Sequence, residues 1–139
     1  GDEEDAALER GDIDAAVEAN LRMWVDGPYR GPEVVDPEVR DAVAAMQRRA
    51  FELQLPVADE AEEELLVPDL GARLGEIRAP ALVLVGDADV SDMHDIGRRL
   101  RRELRDARSA TIQGAHVPSM EHPRKFEALV LDFLAGIPA

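Results

Sequence analysis

Apolar positions along the first half of the chain recur with helical spacing. Ile13, Ala16, Val17, Leu21 and Trp24 fall at steps of three or four, and Asp12 stands ahead of them as a helix-capping residue. The stretch "DGPYRGPEVVDP" then interrupts the pattern with two glycines and three prolines. A second helix is predicted from Asp36-Pro37, a cap followed by proline in the first turn, through Val39, Val43, Met46, Ala50 and Leu53. "DEAEEELL" reads as an acidic loop or a short exposed helix, and no strand pattern appears before about residue 74.

From Ile77 the period changes. Pro80 introduces a continuous apolar run, Ala81 to Val85, and Gly86 stops it, which is how a strand covered on both faces of a parallel sheet reads. Next comes a helix with Met93, Ile96, Leu100 and Leu104 on one face, and after it a short strand, "SATI". "PRKFEALVLDFL" closes the chain as a helix, with Phe126, Leu129, Val130, Phe133 and Leu134 in one stripe and Pro123 near its first turn. Strand, helix, strand, helix describes one right-handed crossover unit plus a final helix. Two strands do not make a stable sheet covered on both faces. Further strands are therefore expected in another copy of the chain or in sequence outside it.

Length and composition narrow the picture. A domain of 139 residues buries about two-thirds of its unfolded surface. Aromatic residues are only 4%, so the core must come from Ala, Val, Leu and Ile. The absence of cysteine excludes disulfides, thiolate metal sites and a cysteine nucleophile together. No apolar run approaches a membrane span and no basic-then-apolar leader opens the chain, so a cytoplasmic protein is expected. A chain opening on glycine rather than methionine is expected to be processed, trimmed or partial.

The net charge of −14 is unevenly held: residues 1–70 carry 20 acids against 6 bases, and residues 71–139 carry 10 of each. Such an acidic surface repels nucleic acid and anionic lipid, and neither is expected as a partner. "GRRLRRELRDAR" is read as the solvated face of an amphipathic helix.

Chemistry is expected where the strands end, since ligands of doubly wound sheets gather beyond the carboxyl ends. "GDADVSD" follows the first strand with Asp87, Asp89 and Asp92, and "QGAHVP" follows the second with His116. If the strands are neighbours, a carboxylate of one loop can accept the Nδ1 proton of His116 and prepare Nε2 as a general base. Asp92 reads as a helix cap, Asp87 as a turn former, and His94 and His122 as surface residues. Trp24, Met23 and Phe51 read as core residues that could alternatively line a pocket. No metal or cofactor site is expected.

"LGEIRAPALVLVGDADVSD" followed by "IQGAHVPSMEHPRKFEALVLDFL" resembles the C-terminal part of an α/β-hydrolase. The matching pattern is Ile-x-x-Pro, an apolar strand and Gly-Asp-x-Asp, then Gly-x-His-x-Pro-x-x-Glu-x-Pro and a terminal helix, over roughly residues 74–136. The resemblance implies an incomplete α/β-hydrolase fold: a helical cap-like segment over 1–74, then the C-terminal part of the core over 75–139. By the same resemblance Asp89 matches the triad acid and His116 the general base, with Asp87 the weaker acid. Pro118, Glu121 and Pro123 match the segment that holds the histidine. The Gly-Ala-His spacing is one residue shorter than the commoner pattern, which implies a tighter loop.

The family's nucleophile sits in Gly-x-Ser-x-Gly, ahead of the acid and the histidine. The serines here are Ser91, Ser109 and Ser119, and none is so flanked. The chain by itself is therefore expected to be inactive. Within an intact protein it would contribute Asp89 and His116 to hydrolysis of a small ester or lactone, by a serine or aspartate nucleophile. Its expected partners are a small-molecule substrate and the missing N-terminal half of the fold or another copy of the chain. The alternative is a non-catalytic truncated hydrolase acting as a binding or oligomerising module. A receiver-like protein holding Mg²⁺ on strand-end acids would need an acid pair at a second strand end, which the sequence does not offer.

Overall fold

The computed structural model describes residues 1–58, 60, 61, 64 and 66–137. Contacts divide the chain into Gly1–Glu64 and Leu65–Ala139, ahead of the change of period read from the sequence. Of the acidic stretch 59–66, Asp59, Glu62, Glu63 and Leu65 lie outside the described residues.

The N-terminal unit is helical. Helix α1 (Asp2–Glu9) carries four acids in its first turn, where they suit the positive end of the helix dipole. The sequence pattern did not separate it, because so short a helix shows little periodicity. Gly11, at φ 72°, turns the chain into α2 (Ile13–Leu21), which opens where the Asp12 carboxylate accepts the Ala15 N–H at 3.0 Å. Beyond Leu21 the helix widens into a π turn, Arg22–Asp26. Each residue there advances less around the axis, so the inward position passes to Val25, which is fully buried, while Trp24 is half-buried.

Helix α3 (Pro37–Gln54) starts as expected, with Asp36 accepting the Glu38 N–H at 2.9 Å. Its buried face differs from the one read in the sequence. Val43 and Phe51 are buried, whereas Met46 and Leu53 are more than half exposed. Val43, Gln47 and Phe51 form an i, i+4, i+8 row, which leaves Met46 and Leu53 on the flank. Ala7, Ala16, Val17, Ala19, Leu21, Val25, Val35, Val43 and Phe51 make up the core of this unit.

One charge enters that core. Asp26 is 1% exposed, and its carboxylate accepts Arg40 Nε at 3.1 Å and Arg40 Nη2 at 3.2 Å. Arg40 also donates to Glu18 at 2.7 Å, and Arg30 donates to the backbone oxygens of Val25 and Asp26. The hydrogen bond that Arg40 donates to Asp26, and after it the one it donates to Glu18, raises the Arg40 pKa above its ordinary value.

The C-terminal unit opens with a 3₁₀ turn, Leu70–Glu76, and then forms β1 (Ala81–Gly86), α4 (Ser91–Glu103) and β2 (Ala107–Ile112). The strands pair in parallel from Ala81 opposite Ala107 to Gly86 opposite Ile112, with α4 as the crossover. β2 begins two residues before "SATI", because Ala107 is buried and its polar neighbour Arg108 pairs on the same ladder. Among the described residues the sheet has these two strands alone, and the apolar run of β1 is half-exposed. Val90 precedes α4, so Asp92 lies inside the first turn and does not cap it, and Leu104 falls just past the end.

Helix α4 reaches the sheet through Gly97. A Cβ there would meet Val85 Cγ2 at 2.7 Å and Val83 Cγ1 at 3.7 Å. Gly97→Val is expected to push α4 off β1 and lower stability by about 1–3 kcal/mol, read as a fall in the urea midpoint. An unchanged midpoint would show that the helix can lift without cost. After β2 come the short α5 (Pro118–Glu121) and then α6 (Pro123–Ala135), which starts on Pro123 as the sequence suggests. Phe126, Leu129, Val130 and Phe133 are half-buried, while Leu134, expected in that stripe, is 53% exposed. Among the described residues no helix is long and apolar enough to cross a membrane.

Candidate active site

Parallel pairing brings the carboxyl ends of β1 and β2 side by side, and with them the two loops that hold the acids and the histidine. Backbone bonds join these loops: Asp87 N–H donates to Ile112 O at 2.8 Å, and Ala88 N–H donates to Gly114 O at 2.9 Å. The backbone of Gly114 and Ala115 lies so close over Gly86 that a Cβ at Gly86 would collide with both carbonyl oxygens. Gly86 is thus required by close approach of backbone, a role its place at a strand end does not reveal. Gly86→Ala is expected to part the loops, read as loss of hydrogen-exchange protection at the amides of Ala88 and Gly114. Protection equal to that of the parent chain would refute the clash.

Asp89 and His116 meet. The Asp89 side chain is 4% exposed, and its Oδ2 lies 2.9 Å from His116 Nδ1. The other oxygen, Oδ1, accepts the Val90 N–H at 2.8 Å. Both oxygens are occupied, so the carboxylate is fixed in direction as well as place. A carboxylate accepts and does not donate, so the shared proton sits on Nδ1, and in the neutral ring Nε2 is the accepting nitrogen. The His116 side chain is 44% exposed, open enough for another group to reach it.

Asp87 has a different part. Its Oδ1 accepts the Gly114 N–H at 3.0 Å, across to the histidine loop rather than within its own turn. Glu121 Oε1 accepts the next amide, Ala115 N–H, at 2.7 Å. Two carboxylates thus hold consecutive amides just before His116. Gly114 takes φ 122°, a conformation that suits glycine and lets the short Gly-Ala-His loop close. Beneath it Ile112 and Ala115 are fully buried. The cross-loop bond of Asp87 and the backbone bond of Glu121 went unread in the sequence; the shortened loop was the available signal.

The remaining candidates are dispersed. Ser91 lies at the start of α4 beside Asp92, Ser109 lies on β2, and Ser119 lies on α5. Ser119 borders a cavity of about 270 Å³ together with Asp89, His116, Met93, Ile96 and Phe126. His94 lies on α4, and His122 separates α5 from α6. In the N-terminal unit Phe51 is buried core, Trp24 half-buried and Met23 39% exposed. Among the described residues no group of three or more His, Cys, Asp or Glu is placed to hold a metal ion.

No family model matches the chain. Among curated proteins, a 2-hydroxy-6-oxononadienedioate/2-hydroxy-6-oxononatrienedioate hydrolase of Paraburkholderia xenovorans is 41% identical over 68 residues, 48% of this chain and 24% of that protein. A hydrolase of the same description from Cupriavidus pinatubonensis is 30% identical over 122 residues, 87% of this chain and 42% of that protein. Among solved structures, MenH from S. aureus matches with a TM-score of 0.67 at 20% identity, over 94% of this chain and 48% of that one. A hydrolase from Pseudomonas aeruginosa matches with a TM-score of 0.67 at 26% identity, over 96% and 48%. The chain spans less than half the length of each of these proteins. Parallel strands joined by a crossover helix, the run of similarity to hydrolases and the shared fold together place the chain in the α/β-hydrolase superfamily, of whose fold it carries an incomplete part.

Proposed function

We propose that this chain supplies the acid and the base of a hydrolase, with Asp89 orienting His116 and His116 taking the proton of a nucleophile outside these residues. The observation that carries the reading is the 2.9 Å contact between Asp89 Oδ2 and His116 Nδ1 at the ends of adjacent parallel strands. The nucleophile, a serine or an aspartate, attacks an electrophilic carbon. With serine, His116 Nε2 accepts its proton during attack and returns it to the leaving group; with aspartate, His116 activates the water that releases the intermediate. The helical N-terminal unit is read as the cap-like segment of such an enzyme. Small esters and lactones are the proposed substrates. The relatives' description, an oxo-substituted dienedioate, adds ketone carbonyls of the same electrophilic kind.

The 139-residue chain alone is expected to give no steady turnover of p-nitrophenyl acetate. Expressed together with the coding sequence upstream of Gly1, it is expected to turn over, with His116→Ala lowering kcat about 10³–10⁴-fold. Turnover by the chain alone that vanishes in His116→Ala would overturn the assignment of the nucleophile elsewhere. Turnover of the longer protein untouched by His116→Ala would overturn the role of the base.

A second reading is a non-catalytic binding module. What favours it is the edge of β1 away from β2, which has no strand partner among the described residues and adjoins half-exposed Val83, Leu84 and Val85. Stable self-association of the chain, with no hydrolysis by the longer protein, would support it.

A further inference from the structure

Residues 94–111 hold six arginines against three acids, in a chain of net charge −14. Most of these arginines have structural partners. Arg99 bonds Glu103 at 3.0 Å and the Gly71 carbonyl at 2.9 Å, and Arg102 bonds Glu103 at 3.0 Å. Arg105 donates to the Gly75 carbonyl, and Arg108 lies 5.9 Å from the Phe133 ring centroid. Two arginines remain, and both border a groove of about 410 Å³ between α4 and the face of β2. Arg98 shares its charge with Asp95 on the same helix, while Arg101 has no hydrogen-bond or ion-pair partner among the described residues.

Helix spacing explains why these two face the groove. His94, Arg98 and Arg101 are one and two turns apart and line one side of α4. Across from them stand Ser109 and Thr111, whose places opposite Val83 and Val85 in the parallel register put all four on the sheet face that α4 covers. The floor is apolar, formed by Val83, Val85 and Gly97. The rim offers two guanidinium groups, an imidazole and two hydroxyls, and no carboxylate is among its lining residues.

We propose that this groove is a binding site for a phosphomonoester, its phosphate held by Arg98, Arg101 and the hydroxyls of Ser109 and Thr111. Guanidinium forks match the tetrahedral oxygens of phosphate, and hydroxyls add donors at the same rim. The organic part lies on Val83 and Val85. The groove includes neither Asp89 nor His116, although it shares Val83, Val85 and Gly97 with the cavity they border, and the proposal does not depend on the hydrolase reading.

Isotope-labelled chain titrated at constant ionic strength with inorganic phosphate, and separately with phenyl phosphate, tests the proposal by amide shifts. Saturable shifts at Ser109 and Thr111 are expected, with phenyl phosphate roughly fivefold tighter because its ring covers apolar floor. Arg101→Gln is expected to weaken both ligands about tenfold, and Thr111→Val about threefold, while Arg102→Gln stays within about twofold. Thermal melts that match the parent chain establish that each variant is folded. Shifts that never saturate, or equal losses in Arg101→Gln and Arg102→Gln, would overturn the site. Equal affinity for the two ligands would overturn the phosphomonoester and leave an anion site for free phosphate.

Discussion

Asp89→Asn, made in the longer protein, is expected to cut kcat about 10⁴-fold while KM changes little. Asp89 spends one oxygen on the Val90 N–H and the other on His116 Nδ1, so the side chain has no slack. An asparagine of the same shape keeps one acceptor and replaces the other oxygen with a donor. If the acceptor stays on Val90, the amide NH₂ faces Nδ1 and drives the ring proton to Nε2, the atom that must accept. The geometry survives and the tautomer is wrong. Nitrogen chemical shifts of His116 in the 139-residue chain read this directly: an Nδ1–H ring in the parent and an Nε2–H ring in the variant. A variant that retains the parent tautomer and most of the activity would remove Asp89 from the mechanism. Loss of activity with an unchanged tautomer would make it a structural residue.

The second large effect is on stability. Arg40→Met is expected to destabilise the N-terminal unit by about 3–5 kcal/mol, because it leaves the buried Asp26 carboxylate without its cation. The Arg40 side chain is 21% exposed and the Asp26 side chain 2%, so solvent screens this pair less than the surface pairs around it. Arg48 with Asp14 and Arg73 with Glu76 are exposed, and their loss is expected to cost less than about 1 kcal/mol each. Arg40→Met combined with Asp26→Leu should recover most of the loss, since the pair and its desolvation leave together. Urea unfolding of the three variants checks the series. A single variant as stable as the parent would mean that water reaches Asp26. The folded-state pKa of Arg40 is raised, so its contribution is fully present below its unfolded pKa and is lost only as pH rises beyond it. Across neutral pH Arg40 is therefore expected to add no slope to the stability curve.

How much of this was legible beforehand differs between the two units. The caps at Asp12 and Asp36 could be read because capping uses a few residue types next to a periodic run. β1 and its stop at Gly86 could be read for a similar reason, as a short apolar run bounded by Pro80 and Gly86 fits a strand better than a helix. The buried pair of Asp26 and Arg40 could not, since it joins residues 14 apart across a break in periodicity. The π turn before it carries no composition of its own, and it displaced Trp24 from the expected inward position. In α3 several apolar residues competed for one face, and packing against α2 chose Val43 and Phe51 over Met46 and Leu53.

At the site, the nearness of Asp89 and His116 followed from strand order and the parallel register. The part of Asp87 did not, because a carboxylate in a turn bonds its own loop as readily as its neighbour's. Nor did the need for glycine at position 86, which arises from backbone 28 and 29 residues further on.

The stitching of the two strand-end loops has a consequence for how such a pair passes between proteins. The bonds that Asp87, Ala88, Asp89 and Glu121 make around His116 begin and end within residues 86–121. Asp89 and His116 are therefore held in register with each other by one contiguous segment. A graft that keeps residues 81–121 together is expected to keep the contact between Asp89 and His116, whatever sequence precedes them.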